Sequence, residues 1–155
     1  MKKIIVLFLF ISAFSYAQYA IKGTMSPIEN SSWVLLYKIE GTKQIFVKNT
    51  QVRKEGKTGF FEFSLPTDAK VGSYRIKYSM KRDGFMDFLF NKENIAFEFN
   101  PKDLENTIVF HESKENQIYI SFLKKIYTAQ YTLDSLQSEY FRNPSSLIKE
   151  ATYVV

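Results

Sequence analysis

The 155-residue chain has no cysteine, one histidine, four prolines, six glycines and one tryptophan. Without cysteine these residues hold no disulfide, no thiol chemistry, no thiolate metal site and no lipid-modified N-terminal Cys. A lone His111 supplies neither a histidine metal cluster nor the base of a recognisable triad. No Gly-x-Gly-x-x-Gly, Walker loop, Gly-x-Ser-x-Gly, His-Glu-x-x-His or calcium-loop series occurs, so no cofactor and no metal are expected. Charge of one sign is also scarce. The formal net charge is +5, and it falls to +3 without Lys2 and Lys3. That is too mild for a nucleic-acid footprint. What is present is 45% apolar and 17% aromatic residues, far too many for a disordered tail and suited to one domain.

The first seventeen residues read as a signal peptide. Lys2 and Lys3 form a positive start, residues 4–14 form an apolar run broken only by Ser12, and Ser15-Tyr16-Ala17 offers small residues at the inspected positions. Cleavage is expected after Ala17, with export to the periplasm or cell envelope of a bacterium. The run is too short to cross roughly 30 Å of hydrocarbon. No later apolar run reaches ten residues.

Residues 18–111 read as an antiparallel β domain. Phe61, Phe63 and Leu65 alternate with polar neighbours, as do Tyr74, Ile76, Tyr78 and Met80, and Ile95, Phe97 and Phe99. Turn signals such as Glu55-Gly56-Lys57 and Asn100-Pro101-Lys102-Asp103 separate these runs. The predicted strands are 19–24, 33–39, 44–52, 59–65, 73–80, 85–90, 94–99 and 106–110. The fold class is therefore mainly β: an antiparallel β-sandwich or open barrel of about eight strands. The glycines are expected where strands are entered or left.

Residues 112–155 read as a helical arm. Tyr119, Phe122, Ile126, Ala129, Leu133, Leu136 and Tyr140 are spaced three, four, three, four, three, four, an a/d seam over three heptads. Ser113 suits an N-cap. One long helix is expected over about 114–141, broken by Asn143-Pro144, then a short second helix over 145–153. The apolar, uncapped end reads as a truncated linker to a missing domain. A seam of this length needs a partner: the sheet, the second helix, another domain or a second copy. Its docking residues are Tyr119, Phe122, Ile126, Leu133, Leu136 and Tyr140.

Other candidates have ordinary readings. His111 is expected to satisfy backbone groups at the junction between the β domain and the helix. Asp83 sits in a turn, and Asp87 faces solvent. Arg75, Lys77 and Lys81 line one face and, with Trp33, make a candidate ligand face for an anionic or glycan surface. A solvated basic face and a core Trp33 are the plainer assignments for these same residues. Tyr19 and Tyr37 are the other aromatics to follow.

Three segments carry a family resemblance. Tyr19-Ala20-Ile21-Lys22-Gly23-Thr24 opens with an Ile-x-Gly strand, Gly72-Ser73-Tyr74-Arg75-Ile76 follows a Leu65-Pro66 strand end, and 108–116 ends in Ser113-Lys114-Glu115-Asn116 before a Phe122-Leu123 helix. This order resembles the N-terminal domain of unknown function in exported bacterial thioredoxin-like, thiol-disulfide interchange proteins, which include relatives of the peroxide-reducing family. The chain has Glu112 where that pattern has a glycine before the serine, and it lacks the Cys-x-x-Cys module. The resemblance implies a non-catalytic exported accessory domain. Its partner would be a thioredoxin-like domain in cis or trans, or a second copy met through the arm. The alternative is a module for a cell-envelope glycan or an anionic surface.

Overall fold

The computed structural model describes residues 18–29, 31–81 and 84–143. The expected signal segment, the second helix and Asp83 lie outside these residues. Nine strands fold into two facing sheets, followed by a long helix. The strands are β1 (Gln18–Met25), β2 (Trp33–Glu40), β3 (Lys43–Gln51), β4 (Arg53–Glu55), β5 (Thr58–Pro66), β6 (Gly72–Lys77), β7 (Phe85–Phe90), β8 (Ile95–Phe99) and β9 (Val109–Phe110). Between β8 and β9 lies a single helical turn, α1 (Leu104–Thr107), and after β9 comes α2 (Lys114–Arg142). One sheet has the order β4-β5-β1-β8-β9 and the other β3-β2-β6-β7. This is a sandwich of two open sheets, not a closed barrel.

Period-two alternation builds the core. In β5, β6, β7 and β8 every second residue is buried. The inward set includes Ile21, Phe63, Ile76, Phe88 and Ile95, all at 0% exposure. Rings interlock within a sheet, where Phe61 meets Phe97 at 5.9 Å, and between the sheets, where Tyr19 meets Phe90 at 5.4 Å. Such edge-to-face pairs add to area burial. Lys48 of β3 reaches across to donate to the Ser64 carbonyl of β5 at 3.0 Å.

Five expectations need correction. The pairing is not wholly antiparallel, because β1 runs parallel to β8 over Ile21–Met25 and Ile95–Phe99. The chain enters β8 after two strands in the opposite sheet, and that crossing sets its direction. The last predicted strand splits into α1 and the two-residue β9, and the predicted strand 73–80 ends at Lys77. The glycines do not all bound strands, since Gly23 lies inside β1 and Gly59 inside β5. A Cβ on Gly23 would lie 2.1 Å from the Phe61 ring, so the ring occupies the space a side chain would need. Finally, Trp33 is not core: it is 46% exposed.

Candidate functional site

The arm joins the sandwich through one polar clamp. Asn116, in the first turn of α2, is fully buried. Its side-chain oxygen accepts from the Leu89 backbone N–H at 2.8 Å, and its amide donates to the Leu89 carbonyl at 2.7 Å. Leu89 belongs to β7, the edge of its sheet. The asparagine thus pairs with the open edge as a neighbouring strand would. The same amide donates to Ser113 Oγ at 2.7 Å, and that hydroxyl donates to Glu93. Ser113 also caps α2 by accepting from the Asn116 N–H, as expected, and holds a positive φ of 77°. That conformation is uncommon outside glycine and is held here by these hydrogen bonds. Gln117 adds a bond to the Phe110 carbonyl at 2.9 Å.

Past the clamp, Ile120 packs against the core, and Tyr119 and Leu123 are half-buried. Between them and the sandwich lies an open crevice of about 600 Å³, lined among others by Phe85, Asp87, Leu104 and Tyr127. Burial, with Asp87 and Tyr127 close by, pushes the Tyr119 hydroxyl above the usual tyrosine range.

From Lys124 onward every residue of α2 is exposed. The predicted seam is therefore uncovered beyond its root: Phe122 is 58% exposed and Leu133 53%, with Ile126, Leu136 and Tyr140 in the same class. Tyr119 alone of the predicted docking residues is partly covered. The side of α2 turned to the sandwich is a different stripe, Asn116, Ile120 and Leu123. At about 100° per residue the seam lies roughly a third of a turn away from it. The seam does not dock on the sheet.

The basic candidates lie on and beside the outer face of the second sheet. Arg75 forms a two-pronged ion pair with Asp87, at 2.6 and 2.7 Å, and its guanidinium lies 3.8 Å from the centre of the Phe85 ring. The Asp87 hydrogen bond raises the Arg75 pKa further. Its charge is answered within the fold. Lys77 is half-buried on the same strand, opposite Leu35. Lys81 is exposed and lies 3.8 Å from Glu29. Trp33 stands two residues beyond the Leu35–Lys77 pair, and further along β2 Tyr37 meets the exposed Phe46 edge-on at 5.8 Å. These groups form a flat strip.

His111 donates its backbone N–H to the Ala96 carbonyl at 2.8 Å, a main-chain bond that any residue at this junction would make. Its imidazole is 3.5 Å from Glu98, and both side chains are exposed. That partner is 13 residues away and was not legible in the sequence. Among the described residues no three His, Asp or Glu side chains stand close enough to hold a metal ion. No described helix is long and apolar enough to cross a membrane. No protein-family model matches the chain, and no curated protein matches it.

Proposed function

We propose that this chain is an exported, non-catalytic accessory domain that works by contact, with the sandwich as platform and α2 as the contact element. The observation that carries the reading is the uncovered apolar seam. Large exposed apolar surface on a folded domain marks an interaction site far more often than an accident. The buried Asn116 clamp supports it too, because it holds the root of the helix against β7. The resemblance to envelope thioredoxin-like proteins suggests what such a module would orient: a thioredoxin-like domain in the same chain or a separate one. The export reading is tested by N-terminal sequencing of the secreted chain, which should begin at Gln18.

The contact reading is tested by sedimentation of the mature chain, alone and with a purified thioredoxin-like domain, against Leu133→Asp. The wild type should form an assembly, and the variant should lose it while keeping the wild-type melting temperature. Assembly indifferent to the substitution overturns the reading.

A second reading has its own observation. Trp33, the single tryptophan, is exposed on the strip that carries Tyr37 and Phe46. Aromatic strips of this kind stack on sugars. Titrating Trp33 fluorescence with cell-envelope polysaccharides tests it, and an unchanged spectrum removes it.

A further inference from the structure

We infer that the occupant of the α2 seam is a second copy of this chain, paired antiparallel, with the dyad level with Tyr131. The inference rests on the contact reading above and names its partner.

The spacing is the first argument. A seam that keeps three-four alternation through three heptads has a period of 3.5. That period stays aligned over its length only against another helix, with slight supercoiling. A sheet imposes no such period, and the sandwich already uses a separate stripe of α2.

Direction follows from the layers. In the antiparallel register Phe122 opposes Tyr140 of the second copy, Ile126 opposes Leu136, and Ala129 opposes Leu133. The small Ala129 meets a large side chain, and Phe122 meets Tyr140 rather than its own copy. In a parallel pair Ala129 would face Ala129 and leave a void, while Phe122 would crowd Phe122. Interiors penalise both.

The flanks agree. Antiparallel pairing brings Lys125 beside Glu139 of the second copy, and by symmetry does so twice. At the dyad Thr132 and Gln130 each lie near their own copies, uncharged. Parallel pairing would leave Lys125 facing Gln130 with no opposite charge. Over residues 114–142 the arm carries four basic and three acidic side chains, so two arms repel little. Their macrodipoles also oppose. At 1.5 Å per residue the two Tyr119 positions lie about 36 Å apart along the pair, which keeps the sandwiches clear of each other.

Because the chain has no cysteine, introduced thiols report cleanly. Spin labels on Thr132→Cys and on Ser121→Cys, read by double electron–electron resonance in the full mature chain, fix the arrangement. Antiparallel pairing gives a short distance at 132 and one of about 30 Å or more at 121. Short distances at both positions mean a parallel pair and overturn the register. As a second readout, Lys125→Glu should weaken the dimer about tenfold, and Lys125→Glu with Glu139→Lys should restore it. Failure of the double variant to restore the dimer also overturns the register. A wild-type chain that sediments as a monomer at about 100 µM overturns the second copy altogether. If that monomer binds a thioredoxin-like domain and loses it with Leu133→Asp, the contact reading survives without this inference. If nothing binds, both fall.

Discussion

The sandwich and the arm use the same kinds of side chain to opposite ends. Phe63 and Phe88 are fully buried, whereas Phe122 and Phe141 are 58% and 82% exposed. In the sandwich a phenylalanine closes a layer that already has two walls. In the arm it stands on a single helix, where one wall is missing. Most of a helix's stability in a protein comes from packing of an apolar face rather than from propensity. The contrast separates two settings: core rings hold the fold, and the fold leaves the seam residues beyond Tyr119 uncovered.

Substitutions can sharpen this division. The largest loss is expected for Phe63→Ala, about 4 kcal/mol in denaturant unfolding, because the ring is enclosed on all sides. Gly23→Val should cost about 3 kcal/mol, since its side chain would displace the Phe61 ring. Asn116→Leu should cost about 2 kcal/mol, leaving the Leu89 N–H and carbonyl without partners, and it should also loosen the root of the arm. High pH should act more weakly. Burial raises the Tyr74 hydroxyl, and burial with Asp87 raises that of Tyr119. The folded state then keeps these protons longer than the unfolded chain does. Stability is full below the ordinary tyrosine value of about 10 and falls as pH rises through the raised values. Tyr119→Phe should lessen that fall in a pH series of melts. The smallest effect on the sandwich is expected for Leu133→Asp, within about 0.5 kcal/mol, although it removes association.

Much of this fold was legible because its patterns are local. Alternation marks β5 to β8, and the helix expected over about 114–141 is observed as Lys114–Arg142. The Ile-x-Gly opening has a physical reason in the Phe61 ring over Gly23. Other features were hidden because they depend on distant chain. Parallel pairing of β1 with β8 is a property of topology. The strand β4, Arg53-Lys54-Glu55, is charged and exposed throughout and shows no alternation. Trp33 was masked by a run of apolar residues in which only Val34 and Leu36 turn fully inward. Asn116 reads as an ordinary first-turn residue until Leu89 is placed beside it. The one hint was its spacing from Ser113, which caps the same turn. The seam itself was visible from spacing alone, whereas its exposure was not.

Amide hydrogen exchange of the wild type and Leu133→Asp, compared at equal concentration, tests the separation of platform from contact element most directly. Strand amides in β5 to β8 should exchange alike in both proteins, while amides over residues 124–140 should lose protection in the variant. Strands that open together with the arm, or an arm whose protection is unchanged, would contradict it.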